Sequence, residues 1–228
     1  MEGWAPVSVF LAVSAVLCAA LVVASLLAFG SPAIPIVFFV TVVVIATYGL
    51  VQGYPHPELG LCNVVTLSRA AMVAFLLGAV FFPMTSAWVV CAVAIVAFAL
   101  DGVDGWFARR TGRVSDFGAR FDMETDAALG AVISLWLFNS GVTGPEVLAI
   151  GFMRYAFFAA SFVWPALQAP LPEAFRRKAI CVVQIAALII LVFPLTPDVV
   201  VMPTVIGAAL LLGWSFLIDI LWLMRRAG

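Results

Sequence analysis

Eight long, mostly uncharged apolar runs dominate the 228-residue chain. They lie at residues 7–29, 33–50, 64–83, 86–104, 120–139, 146–167, 177–195 and 203–224. A bilayer core about 30 Å thick is crossed by roughly 20 helical residues, so each run predicts one transmembrane helix. Glycine and proline residues, which end helices, fall in the breaks between the runs. The predicted fold class is all-α, a polytopic membrane bundle of about eight transmembrane helices.

The composition excludes a protein that folds in water. Hydrophobic residues make up 65% of the chain and charged residues 10%, whereas a soluble domain is about 25% charged. The charges nearly cancel, with 11 Lys and Arg against 12 Asp and Glu, so we expect no nucleic-acid partner. The cysteines lack metal-site or disulfide-framework spacing and are expected to be small buried hydrophobes.

Basic residues are concentrated in alternate loops. Nine of the eleven lie between predicted helices four and five, between six and seven, or after helix eight, namely Arg109, Arg110, Arg113, Arg120, Arg176, Arg177, Lys178, Arg225 and Arg226. Short cytoplasmic loops accumulate Lys and Arg. We therefore expect an integral protein of a bacterial inner membrane, with both termini and the charged loops facing the cytoplasm.

The first two predicted helices contain no charged residue, and they precede all of the polar signals. We interpret residues 1–58 as a transmembrane hairpin with its connecting loop, and residues 59–228 as a six-helix core. No internal repeat or soluble appendage is evident. In the last predicted helix, Gly207 and Gly213 are expected to permit close helix packing.

Four aspartates interrupt the apolar pattern where helices four and five meet the predicted cytoplasmic boundary. Asp101 and Asp104 are three residues apart, and Asp122 and Asp126 are four apart, so each pair shares a helix face. Like charges 4 Å apart repel by about 4 kcal/mol at an effective dielectric of 20. A cation is therefore needed to hold the four carboxylates together.

Carboxylate oxygens are hard ligands that favour Mg²⁺, Mn²⁺ or Ca²⁺ over zinc, and Mg²⁺ is commonly shared with substrate phosphates. We therefore expect a phosphorylated substrate. Small residues nearby (Gly105, Ala108 and Gly118) leave room for a ligand beside the backbone, and Arg109 is suited to a phosphate oxygen. The alternative is that these charges only cap helices and solvate a loop, which fits one aspartate better than four, because boundary acids are costly.

The spacing Asp-x-x-Asp-Gly-x-x-Ala-Arg, eight residues, Gly-x-x-x-Asp-x-x-x-Asp resembles the signature of the CDP-alcohol phosphotransferases. Every fixed position is met, at Asp101, Asp104, Gly105, Ala108, Arg109, Gly118, Asp122 and Asp126. The resemblance implies a six-helix catalytic core over about residues 60–226. It also implies that CDP-diacylglycerol or a related CDP-alcohol is the donor, that CMP leaves, and that the protein is a homodimer.

The resemblance also implies roles for the signature residues. Asp101, Asp104 and Asp122 would bind Mg²⁺ or Mn²⁺, which bridges the CDP pyrophosphate. Asp126 would contact the metal and act as general base on the acceptor hydroxyl, so Asp122 and Asp126 are the expected catalytic pair. The small residues and Arg109 would hold the CDP moiety.

A second element, Asn63-Val-Val-Thr66-Leu-Ser-Arg69, resembles the Pro-Asn-x-x-Thr-x-x-Arg segment of the same family, with Cys62 in place of proline. Residues three apart share a helix face, so Asn63, Thr66 and Arg69 are candidates for the nucleotide pocket. Asn63 is alternatively only a helix N-cap. Arg69 lies inside an apolar run, where a cation normally has an anionic partner.

The acceptor is the least determined part of the prediction. Arg120, Arg154 and Arg176 are candidates for a second anion site, with Arg113, Arg177 and Lys178 nearby in sequence. Such a site favours glycerol 3-phosphate or inositol phosphate over serine or choline. Glycerol 3-phosphate is the first choice, and inositol phosphate, inositol, serine and choline are the alternatives. Alternatively, the basic residues at 176–178 anchor their helix at the anionic leaflet.

A membrane transporter is the main alternative from another functional class, since many helices with buried charge also form pathways. Acids at one membrane boundary suit a reaction at the membrane surface, whereas a transporter is expected to place polar groups near the midplane. A non-catalytic scaffold is the third alternative. The presence of all four signature acids argues against it.

Overall fold

A computed structural model describes residues 5–82, 85–111, 115–169 and 175–227, without the side chains of 103–111 and 226–227. These ranges form eight α-helices and one short 3₁₀ helix, Pro165–Gln168, and contain no strand. The helices are α1 (Ala5–Phe29), α2 (Ala33–Gly53), α3 (Leu61–Phe81), α4 (Ala87–Thr111), α5 (Asp116–Asn139), α6 (Glu146–Val163), α7 (Phe175–Val192) and α8 (Asp198–Ala227). The predicted all-α class is confirmed.

Each predicted run corresponds to one helix. The largest difference in bounds is at the end of α4, which continues to Thr111 rather than ending at residue 104, and two further differences occur at prolines. Helix α6 ends at Val163 rather than at residue 167, because Trp164 is extended before Pro165 and a residue preceding proline disfavours the helical conformation. The predicted start of the last helix, at residue 203, is wrong. Helix α8 begins at Asp198 and continues through Pro203. Proline is tolerated inside transmembrane helices, where neighbouring helices and local backbone adjustments satisfy the groups that it leaves without a hydrogen bond.

The described helices suit a membrane. Five of them, α1, α2, α3, α6 and α8, are long and apolar enough to cross a bilayer, and the apolar part of α4, Ala87–Gly102, is shorter. The chain is therefore an integral membrane protein built as a polytopic helical bundle. The number of crossings, eight, stays a prediction.

The first compact unit, Met1–Leu129, is built around α3. This helix packs against α1, α2 and α4, and its residues are buried on most sides. Phe10 of α1, Phe39 of α2 and Leu67 of α3 are fully buried in one cluster, which also includes Phe121 of α5. The first two helices therefore pack against α3 instead of standing apart in lipid.

The second unit, Gly130–Gly228, contains the rest of α5 together with α6, the 3₁₀ helix, α7 and α8. Helix α8 packs against both α6 and α7. The Gln184 side chain in α7 donates a hydrogen bond to the Ile150 carbonyl oxygen in α6 at 2.7 Å. At Gly151 an added Cβ would overlap the Ser134 side chain, so α5 and α6 approach closely there.

Glycines that permit close packing are not the two expected in α8. Among the described residues, a Cβ added at Gly207 or Gly213 would meet no atom within 4 Å, so that prediction is wrong. Another close approach, besides that at Gly151, lies in α3. A Cβ on Gly78 would lie 2.7 Å from a ring carbon of Phe29 and 2.8 Å from Pro35 Cγ.

We predict that Gly78→Ala lowers the thermal unfolding temperature in detergent, because overpacking costs about 1–3 kcal/mol. Gly207→Ala is the matched control. It gains the better helix propensity of alanine, up to about 1 kcal/mol, without a clash. Equal unfolding temperatures for the two variants would contradict the packing of the hairpin connection on α3.

Candidate active site

A fully buried arginine lies at the centre of the first unit. Arg69 in α3 is 0% exposed, and its Nε donates a hydrogen bond to the Ala97 carbonyl oxygen in α4 at 3.0 Å. That carbonyl lies four residues before Asp101, in the last turns of the apolar part of α4. The guanidinium therefore joins α3 to α4 close to the first signature aspartate.

Three signature carboxylates surround the same guanidinium. Arg69 Nη1 lies 2.5 Å from Asp122 Oδ1 and 3.3 Å from Asp101 Oδ1, and Nη2 donates to Asp126 Oδ1. Asp101 comes from α4, whereas Asp122 and Asp126 lie one turn apart on α5. One side chain of α3 thus holds the acids of two other helices together.

The carboxylates are more open to the surroundings than the arginine beneath them. The exposed side-chain fractions are 20% for Asp101, 36% for Asp122 and 29% for Asp126, against 1% for Arg69. With all four ionised, three negative charges and one positive charge leave a net charge of −2. The four side chains therefore form an acidic site whose open side suits a divalent cation.

The geometry fits a bound ion. One carboxylate oxygen from each of Asp101, Asp122 and Asp126 lies within 4.8 Å of the other two. Two oxygens on opposite sides of one Mg²⁺ are about 4.2 Å apart, twice the usual ligand distance of about 2.1 Å. Small side-chain rotations are enough to close that gap. The oxygen-only donor set favours Mg²⁺ or Mn²⁺ over zinc.

The expected nucleotide residues that are described lie beside the acids. Asn63 and Thr66 are buried in the first turns of α3. A Cβ added to Gly118 would lie 2.9 Å from Asn63 Oδ1 and 3.1 Å from Ser115 Oγ, so α5 approaches α3 closely at this glycine. Thr66 Oγ1 donates to the carbonyl oxygen of Cys62 at 3.0 Å.

Ser115 explains why α5 starts where it does. Its Oγ accepts a hydrogen bond from the Gly118 backbone nitrogen at 3.1 Å, which satisfies one of the unpaired donors at the helix start. Asp116 in the first turn is favourable to the helix dipole. The cap therefore fixes the register that places Gly118, Asp122 and Asp126 along α5.

The structure does not test the roles predicted for several site residues. The side chains of Asp104, Gly105, Ala108 and Arg109 lie outside the described ones, although the backbone of α4 continues through them to Thr111. Arg113 lies outside the described residues altogether. Arg120 is exposed on α5. The roles proposed for these residues stay predictions.

Two basic residues of the second unit, Arg176 and Arg177, have partners within that unit. Arg176 Nη1 donates to the Ser215 carbonyl oxygen at 2.7 Å and to Ser215 Oγ at 2.5 Å, and Nη2 donates to Asp219 Oδ1 at 2.5 Å. Its guanidinium carbon lies 5.8 Å from the Trp214 ring centroid. Arg177 Nη1 also lies 3.4 Å from Asp219. Arg154 is half-buried in α6.

Sequence reasoning missed the cation that holds the acids. The four aspartates were expected to need a cation, and Arg69 was expected to need an anionic partner. The sequence analysis did not identify Arg69 as the cation that pairs with the aspartates. The available signal was a single arginine inside an apolar run, which requires an anion nearby. Ser115 as the cap of α5 was also missed, although a serine directly before the first residue of a helix is a recognisable N-cap.

Comparison with known proteins gives one match. A family model described as CDP-alcohol phosphatidyltransferase matches residues 59–218. The matched range includes α3, α4 and α5, and with them Arg69 and the three clustered aspartates. No curated protein and no solved structure matches the chain.

We predict that Arg69→Gln destabilises the protein by about 3–5 kcal/mol in EDTA, because it leaves three neighbouring carboxylates without their buried cation. Millimolar Mg²⁺ or Mn²⁺ should restore part of the loss. Thermal unfolding in detergent measures both effects, with Arg225→Gln at an exposed position as the control. An Arg69→Gln variant as stable as that control would contradict the central role of Arg69.

Proposed function

Because the chain belongs to the CDP-alcohol phosphatidyltransferase family, we propose that it synthesises a membrane phospholipid from CDP-diacylglycerol and glycerol 3-phosphate. The products are CMP and phosphatidylglycerol phosphate. Family membership makes the chain a transferase that moves a phosphatidyl group from a CDP-alcohol to an acceptor. The observation that carries the proposal is the acid cluster on Arg69, which occupies the spacing of the reaction signature.

In the proposed reaction the acceptor hydroxyl oxygen attacks the phosphorus of the phosphatidyl group. Asp126 takes the hydroxyl proton, and the bond from that phosphorus to the bridging oxygen breaks, so that CMP leaves with the electron pair. Arg69 orients Asp122 and Asp126 from beneath. A divalent ion, Mg²⁺ or Mn²⁺, held by Asp101, Asp104, Asp122 and Asp126 would offset the negative charge of the pyrophosphate.

The CDP moiety is assigned to the side of the cluster where α3 and α5 begin. Asn63 and Thr66 supply buried polar groups there, and Gly118 keeps the backbone of α5 close to Asn63. On α4, Gly105 and Ala108 would leave space for the nucleotide, and Arg109 would bind its phosphates. These residues position the donor, while the acids act on the reacting atoms.

The acceptor assignment rests on basic residues. Arg154 is the first candidate for an acceptor phosphate, because a half-buried cation in an apolar helix suits an anionic ligand. Arg120 and Arg176 are further candidates, although Arg176 already donates to Ser215 and Asp219. A phosphate-bearing acceptor is favoured for this reason. Inositol phosphate, inositol, serine and choline are the alternative acceptors, and transport is the alternative from another class.

The orientation in the membrane, the domain division and the oligomeric state are also proposals. The basic loops support a cytoplasmic active site and cytoplasmic termini in a bacterial inner membrane. The family match begins at residue 59, which supports the division into a hairpin, residues 1–58, and a core, residues 59–228. A homodimer is proposed from the family resemblance.

The test is CMP release by purified protein in detergent with CDP-diacylglycerol and Mg²⁺. Glycerol 3-phosphate, inositol phosphate, inositol, serine and choline are supplied one at a time. We predict release that depends on glycerol 3-phosphate and disappears with EDTA. Asp126→Asn should lower kcat at least about 100-fold, the scale of general-base catalysis, while CDP-diacylglycerol still binds.

Normal CMP release by Asp126→Asn would contradict its role as the base. Glu146→Gln is a matched control outside the predicted site. Release with another acceptor would correct the product but keep the reaction class. If the wild-type protein neither releases CMP nor binds the donor, the transporter and scaffold alternatives are favoured.

A further inference from the structure

The end of the N-terminal hairpin contacts the proposed nucleotide site through one hydroxyl group. Tyr54 directly follows α2, outside the range matched by the family model. Its Oη accepts hydrogen bonds from the Gly60 backbone nitrogen at 2.8 Å and from Asn63 Nδ2 at 3.2 Å. The same hydroxyl donates to the Glu58 carbonyl oxygen at 3.2 Å. It therefore joins the hairpin, the following loop and the start of α3.

These three bonds use the full capacity of the hydroxyl, which has one donor and two acceptor lone pairs. The Asn63 amide is consequently held with Nδ2 toward Tyr54. Its Oδ1 is directed toward Gly118, since a Cβ added at that glycine would lie 2.9 Å from the oxygen. Asn63 is 1% exposed, so water does not substitute readily for the tyrosine.

The Tyr54 ring makes a second connection to the same place. It packs edge-on against Phe117 at 6.0 Å between centroids, and Phe117 stacks on Phe121 at 5.8 Å. Phe117 also borders Gly49 of α2, where an added Cβ would lie 3.3 Å from its ring. The first turns of α5, which carry Gly118 and lead to Asp122, thus rest on the end of the hairpin.

We propose that Tyr54 is a positioning residue for the CDP donor. Its hydroxyl fixes the Asn63 amide so that an acceptor oxygen, not an amide donor, faces the Gly118 side of the site. The hairpin outside the family domain thereby sets donor affinity. This inference rests on the proposed function, because it assigns Asn63 to the nucleotide.

The test uses Tyr54→Phe, which removes the hydroxyl and keeps the ring against Phe117. Tyr48→Phe is the matched control, since Tyr48 lies near the end of α2, shortly before Tyr54, and is 68% exposed. We predict that Tyr54→Phe raises the KM for CDP-diacylglycerol and the Kd for CMP about fivefold to tenfold, as expected for one hydrogen bond. The kcat and the acceptor KM should stay within about twofold of the wild-type values.

A double variant separates positioning from a general effect on folding. If Tyr54 acts through Asn63, adding Tyr54→Phe to Asn63→Ala should change the CMP Kd no further. If the fold-changes in CMP Kd of the two single variants multiply in the double variant, Tyr54 and Asn63 act independently and the proposal is overturned. Unchanged donor KM and CMP Kd in Tyr54→Phe would also overturn it.

Failure of this inference is distinguishable from failure of the proposed function. If the wild-type protein releases CMP normally and Tyr54→Phe behaves like Tyr48→Phe, only the role of Tyr54 is overturned. Wild-type protein that neither releases nor binds CMP overturns the proposed function, and the role of Tyr54 with it.

Discussion

The pairing of one buried guanidinium with three carboxylates is the interaction on which the first unit depends. An arginine at 0% exposure is tolerated only because Asp101, Asp122 and Asp126 offset the cost of removing it from water. The acids in turn remain together only because a cation lies beneath them. Helices α3, α4 and α5 therefore have to meet at this point. Apolar packing alone, which is non-directional, would not fix that meeting so closely.

The same arrangement links stability to function. Arg69 leaves a net charge of −2 among the four side chains, and the three acids are open on the side away from it. That residual charge is offset by one divalent ion. The protein without metal is held together by Arg69, and a bound metal would complete the neutralisation. The hairpin packs against α3 and the first turns of α5, so it supports the site from outside the family domain.

The helices and the acid array could be predicted from sequence patterns within one segment of the chain. The contacts between residues far apart in sequence could not. The eight helices follow from apolar runs of bilayer length, and the acid array from residue spacing alone. The turn before Pro165 and the continuation through Pro203 depend on backbone geometry that sequence patterns describe poorly. Arg69 is separated from Asp122 by 53 residues, and no periodicity reports such a pair. The Tyr54 hydroxyl joins groups nine residues apart or fewer, yet its bonds depend on how the loop closes.

The most direct test of the account is divalent ion binding at the acid cluster, measured by Mn²⁺ electron paramagnetic resonance on purified protein in detergent. We predict saturable Mn²⁺ binding that weakens at least about tenfold in the Asp101→Asn, Asp122→Asn double variant, since two ligands are lost. Asp198→Asn, at an exposed position in the first turn of α8, is the control and should bind like the wild type. Equal Mn²⁺ affinity in the double variant and the wild type would contradict the assignment of this cluster as the metal centre.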